Sequence, residues 1–144
     1  MVMRGLSREE LPIYLSAKKI HNGTPKTITD KELCYFSGGI ASDKSFPKKT
    51  IHTCLETAKK CGLTERVASG AMIQGYLTDL MVSLFGDKWL SDGKMQLKFI
   101  KGVTIGDTIV PCAEMKKYRN GKFYLDVWCE NQNGHKVAVG HAII

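Results

Sequence analysis

Two Asn-Gly pairs, Asn120-Gly121 and Asn133-Gly134, punctuate the C-terminal part of the chain and constrain its fold more than any other feature. A tight two-residue hairpin needs positive φ at both central positions, and Asn and Gly adopt it most readily. The stretches around these pairs alternate. In KMQLKFIK (94–101), Met95, Leu97 and Phe99 fall on one face and Lys94, Gln96 and Lys98 on the other. That period of two indicates a half-buried strand. Residues 107–118 read as a second long strand carrying Ile109, Val110, Ala113 and Met115. KFYLDVWCEN then sets Phe123, Leu125, Val127 and Cys129 against Tyr124, Asp126, Trp128 and Glu130, and HKVAVGHAII closes the chain as a final strand. The expectation is an antiparallel meander of four strands, mostly hairpin-linked.

Ahead of the meander lies VASGAMIQGYLTDLMVSLFG (67–86), with Met72, Ile73, Tyr76, Leu77, Leu80, Met81, Leu84 and Phe85. A helix apolar nearly all round is expected to be buried rather than to lie on a surface. Gly86 is placed to stop it. Two shorter helices should precede it, opened by the capping boxes Thr29-x-x-Glu32 and Thr53-x-x-Glu56. The second runs over roughly 54–61 and ends at Gly62. Residues 1–28 carry little pattern. The whole, 1–144, reads as one α+β domain, a long antiparallel sheet around one central helix.

A hydrophobic fraction of 43% and a charged fraction of 24% are those of a soluble globular protein. No stretch approaches the roughly 20 apolar residues that span a bilayer, so no membrane partner is expected. MVMRGLSREELP lacks the apolar run of a secretory signal, and the expected compartment is the cytoplasm. Cys34, Cys54, Cys61, Cys112 and Cys129 form neither a C-x-x-C pair nor an even disulfide framework. Free, mostly buried thiols are expected, and the scattered histidines offer no metal-ligand spacing. The net charge of +7 fits solubility alone or a phosphate-bearing ligand such as coenzyme A. Nucleic acid is disfavoured, because the lysines are dispersed and no stripe with interleaved aromatics occurs.

His52 stands just before the Thr53 helix start. It is either an ordinary loop residue or a general base, since the positive end of a helix disfavours imidazolium. Gly70 falls in the first turn of the long helix, where amides lack intrahelical partners. It either permits tight packing or offers an N–H to a developing oxyanion.

HTCLETAKKCGLTERVASGAMIQGYL resembles the MaoC-like hydratases, the (R)-specific enoyl-CoA hydratase group of hot-dog proteins. Their pattern runs D-x-N-P-x-H-x-D, then A-x-x-x-G-F, then I-A-H-G-M and a long helix. LKFIKGVTIGDTI and ENQNGHKVAVGHAII are similar to later segments of the family, and the resemblance covers roughly residues 26–144. It implies a hot-dog fold and addition or removal of water across C2–C3 of an enoyl thioester, without a cofactor. Carried over, His52 is the base, Gly70 the oxyanion donor, and Ala68, Ser69 and Ala71 line the substrate. The substrate is expected to be an acyl-CoA or an acyl carrier protein thioester. A homodimer or larger assembly, or a heterodimer with a related subunit, is also implied.

The acidic partner departs from the pattern. The family's Asp lies five residues before the His, where this chain has Pro47; Lys49 and Thr50 replace Asn-Pro. Asp43, nine residues before His52, is the candidate acid if the loop bulges. Alternatively SGG (37–39) matches the family's S-G-D, and Gly39 has replaced the acid. Ser69 stands for the His of A-H-G and Ala71 for the Met. Asp79, nine residues past Gly70 at about 100° per residue, should face away from it and have no role there unless it meets a second subunit's site, and Asp107 reads as a turn residue. Three activities follow from the resemblance: a hydratase or dehydratase with His52 and Asp43 as its dyad, a non-catalytic acyl-CoA-binding subunit partnering an active one, and a hot-dog thioesterase.

Overall fold

The computed structural model describes residues 9–17, 20–37 and 49–144. Five helices and six strands occur there, in the order α1 (Glu10–Ala17), β1 (Ile20–Asn22), β2 (Lys26–Thr27), α2 (Asp30–Ser37), α3 (Leu55–Lys60), α4 (Gly70–Phe85), α5 (Asp87–Asp92), β3 (Lys94–Phe99), β4 (Thr108–Arg119), β5 (Lys122–Glu130) and β6 (Lys136–Ile143). The antiparallel sheet runs β1-β4-β5-β6-β3, with β2 also pairing with β4.

β4, β5 and β6 form the expected meander. Asn120 and Gly121 take φ of 52° and 72°, so this hairpin has the two-residue turn its sequence calls for. The second Asn-Gly pair behaves differently, since only Gly134 has positive φ, at 73°. Its loop is longer, closed by Asn131 N–H to His135 C=O at 2.9 Å. Asn131 Oδ1 also accepts the Asn133 and His135 amides at 3.0 and 3.1 Å. β3 is not hairpin-linked to β4 but lies at the far edge beside β6. β1 and β2, from the segment with least sequence pattern, clamp the opposite edge: Gly23 N–H reaches Pro111 C=O at 2.7 Å, and Ile28 N–H reaches Asp107 C=O at 2.8 Å.

α4 packs against β4 and β5. Met72, Ile73, Leu77, Leu80, Met81 and Leu84 are buried there with Ile109, Ala113, Leu125 and Val127. Each large side chain so buried contributes roughly 1.5–3 kcal/mol. The helix is not enclosed on all sides, as its composition suggested, because Ala71, Gln74, Gly75 and Asp79 form an exposed stripe. The sheet covers only the side that carries the large residues. Ser69 caps its start, its Oγ accepting Met72 N–H at 3.2 Å, and Gly86, at φ 64°, ends it.

The Thr29–Glu32 capping box forms, with Thr29 N–H to Glu32 Oε2 at 3.1 Å and Glu32 N–H to Thr29 Oγ1 at 3.2 Å. The Thr53–Glu56 box does not. Cys54 is the N-cap of α3 and no side chain caps it. Thr53 Oγ1 instead accepts Thr50 N–H at 3.0 Å, while Glu56 pairs with Lys60 at 3.0 Å. The thiols also divide differently from expectation: Cys112 and Cys129 are buried, Cys54 is half-buried, and Cys34 and Cys61 are exposed. Burial pushes the Cys112 thiol up to about 11 and that of Cys129 to about 12. Among the described residues no helix is long and apolar enough to cross a membrane, and no cluster of metal-ligating side chains occurs.

Candidate active site

The segment 50–54 is a tight turn. Thr53 and Cys54 amides both reach Thr50 C=O, at 3.2 and 3.0 Å, and His52 N–H reaches Thr50 Oγ1 at 3.1 Å. This turn holds the His52 backbone and sets the ring against the segment that leads into α4. There, His52 Nδ1 lies 2.6 Å from Val67 C=O. A carbonyl only accepts, so Nδ1 carries the proton. In the neutral ring Nε2 is then the basic nitrogen.

Val67 is fixed from both sides. Its amide faces Ile51 C=O at 3.4 Å and Ala68 N–H binds Val103 C=O at 2.8 Å, while Val67 forms a bridge with Thr104. Asp107 secures that neighbouring turn, accepting Thr104 N–H at 2.9 Å and Gln132 Nε2–H at 2.8 Å. Burial alone would raise the Asp107 carboxyl, but the hydrogen bonds from Thr104 and Gln132 hold it below its ordinary 3.8. The structural role expected of Asp107 is met, and the turn it secures bridges to Val67, whose carbonyl binds the His52 ring.

Gly70 follows three residues after Val67 as the first residue of α4. Among the described residues its N–H and that of Ala71 have no acceptor. A cavity of about 440 Å³ opens beside it, lined by Val67, Ala68, Gly70, Ile73, Phe99 and Val137, with Lys101 the one charged lining residue among the described residues. The Phe99 ring lies on Gly70: a Cβ built there would come within 2.8 Å of Cε2. A second cavity of about 740 Å³ adjoins Lys49, Thr53, Cys54 and Arg66. Arg66 is anchored by Asp30 at 2.6 Å, and that hydrogen bond raises its pKa.

Of the residues singled out from sequence, Ala68 and Gly70 line the first cavity, while His52 lines neither and is tied to that stretch through Val67 C=O. Ser69 spends its Oγ on capping α4. Ala71 is exposed and does not line the cavity. Asp43 lies outside the described residues, as do Gly39 and Pro47. Among the described residues no carboxylate is hydrogen-bonded to the His52 ring. Asp79 is exposed, 3.9 Å from Lys26. Sequence reasoning missed Val67 and Phe99. A backbone carbonyl leaves no side-chain signal. Phe99 does leave one, because the adjacent pair Phe99-Ile100 breaks the period of two, and both side chains stand out of the core.

The MaoC like domain family model matches residues 42–133, more than half of the chain. The chain belongs to the MaoC-like family. No curated protein matches this MaoC-like chain in sequence, but solved structures match its fold. R-hydratase PhaJ1 from Pseudomonas aeruginosa superposes with a TM-score of 0.68 at 18% identity, covering 87% of this chain and 77% of that one. The (R)-hydratase from A. caviae involved in PHA biosynthesis gives 0.66 at 16%, covering 88% and 94%. The HadBC (3R-hydroxyacyl-ACP dehydratase) complex from Mycobacterium tuberculosis gives 0.61 at 13%, covering 87% and 94%. These identities speak to the fold, which is the hot-dog arrangement of an antiparallel sheet with a central helix.

Proposed function

We propose that this MaoC-like protein hydrates an enoyl thioester, or dehydrates the corresponding 3-hydroxyacyl thioester, with His52 as general base. The observation that carries this is the Nδ1–H contact to Val67 C=O, which leaves Nε2 as the basic nitrogen on the segment that ends at the Gly70 amide. Nε2 takes a proton from water as the water oxygen bonds to C3. The C2–C3 π electrons move toward the thioester oxygen, where the Gly70 N–H stabilises the developing enolate. Protonation at C2 completes the addition, and Asp43 is the proposed acid and water-holder. Coenzyme A or acyl carrier protein bears the thioester, and a dimer or larger assembly is the proposed active unit, consistent with β3 as the edge strand among the described residues.

Crotonyl-CoA hydration, followed by loss of the enone absorbance, tests this. Turnover should occur in the unmodified protein and be abolished by His52→Ala and by Asp43→Asn. Full activity of Asp43→Asn would remove Asp43 from the dyad. One observation favours a second reading, an acyl-thioester-binding subunit that needs an active partner: no carboxylate among the described residues binds His52, and Pro47 occupies the family's acid position. Saturable binding of acyl-CoA without turnover would select it, and release of free thiol without hydration would indicate a thioesterase.

A further inference from the structure

Phe99 is the last residue of β3, at a position whose partner across the sheet is Ala138. The strand alternation would turn it inward, yet it remains 47% exposed. Its ring lies against Gly70, with Cε2, Cζ and Cδ2 at 2.8, 2.9 and 3.1 Å from a Cβ built on the glycine. The same ring lines the cavity that continues past Ile73 to Val137. A half-exposed aromatic ring in the lining of a largely apolar cavity leaves apolar surface that an acyl chain would cover.

From this placement we propose that Phe99 is a specificity-determining residue that restricts the site to thioesters unbranched at C2. The inference rests on the proposed hydration. A thioester whose oxygen sits on the Gly70 N–H has C2 attached directly to its carbonyl carbon. To enter the cavity, C2 passes the edge of the Phe99 ring, which already fills the space a methyl group on Gly70 would need. A methyl on C2 competes for that space, whereas a chain unbranched at C2 passes along the ring.

The test compares kcat/KM for crotonyl-CoA and its 2-methyl analogue, tiglyl-CoA, in the unmodified protein, Phe99→Ala and Phe99→Leu. The unmodified protein should prefer crotonyl-CoA. Phe99→Ala should raise the tiglyl-to-crotonyl ratio by about tenfold or more, the scale on which a pocket discriminates one methylene. Phe99→Leu should raise it less, and it serves alone if the alanine variant does not fold. An unchanged ratio in a folded variant, with crotonyl-CoA still hydrated, overturns the specificity and leaves the hydration standing. No hydration by the unmodified protein overturns both.

Discussion

His52 and His141 each donate Nδ1–H to an oxygen, at 2.6 and 2.8 Å, yet they occupy opposite kinds of place. His141 pairs with a carboxylate, Asp126, across neighbouring strands, and its side chain is 74% exposed. It lines an open groove of about 510 Å³ with Gln96, Lys98, Trp128 and Lys136. Asp126 and Trp128 alternate along β5 with the core residues Leu125 and Val127, so this groove lies on the face of the sheet turned away from α4. Among the described residues the His52 ring binds a backbone carbonyl alone, but that carbonyl belongs to the segment that leads to Gly70 and lines the inner cavity. An Asp–His pair by itself therefore identifies no site. What sets His52 apart is its tie, through the Val67 carbonyl, to the stretch that lines the inner cavity and leads to the Gly70 and Ala71 amides.

The contrast is broken most directly by His52→Ala. Removing a general base should lower kcat about 10²–10⁴-fold with the fold retained, checked by enoyl-thioester turnover and circular dichroism. Next comes the amide. Gly70 is the first residue of its helix, where proline is tolerated, and Ser69, at φ −69° and ψ 149°, already has the extended backbone that a following proline requires. Gly70→Pro deletes the N–H, while Gly70→Ala keeps it and adds only the Cβ that meets Phe99. If the N–H stabilises the enolate, the proline variant should lose about 10²–10³-fold in kcat and the alanine variant clearly less. Equal losses would assign the effect to Phe99.

A smaller effect is expected at the turn that supports Val67. Asp107→Asn should destabilise the protein by about 1–3 kcal/mol at neutral pH through weakened charge-assisted hydrogen bonds, as measured by denaturant unfolding. Folding lowers the Asp107 pKa, so its contribution is complete above the unfolded value and fades as pH falls through the folded one. The gap between the two proteins should therefore close in acid, below 3.8. Smallest of all, His141→Gln should change stability by no more than about 0.5 kcal/mol and leave turnover within about twofold, because an exposed pair contributes little. A large loss of turnover there would move the chemistry to the outer groove.

The sheet was legible from sequence because its rules are local. Alternation along 94–130 and the Asn120-Gly121 turn depend on neighbours in the chain, and β3, β4 and β5 follow them. β1 and β2 were not legible, since Ile20–Asn22 and Lys26–Thr27 become strands only through pairing with β4. The Thr53–Glu56 pattern misled because Thr50, three residues upstream, claims the Thr53 hydroxyl. At the candidate site, His52 and Gly70 were singled out through residue type and resemblance. Val67 was not, because its contribution is a carbonyl whose position comes from contacts with Ile51 and Val103.

The proposed base is His52 Nε2, with the ring proton held on Nδ1 by Val67 C=O. Nitrogen-15 NMR of histidine-labelled protein, at a pH where the ring is neutral, tests it. The account predicts a protonated Nδ1 and an unprotonated Nε2 for His52, assigned by comparison with His52→Ala, and a His52 resonance that shifts when a saturated acyl-CoA is added while His141 does not. A proton found on Nε2, or a shift confined to His141, would contradict it.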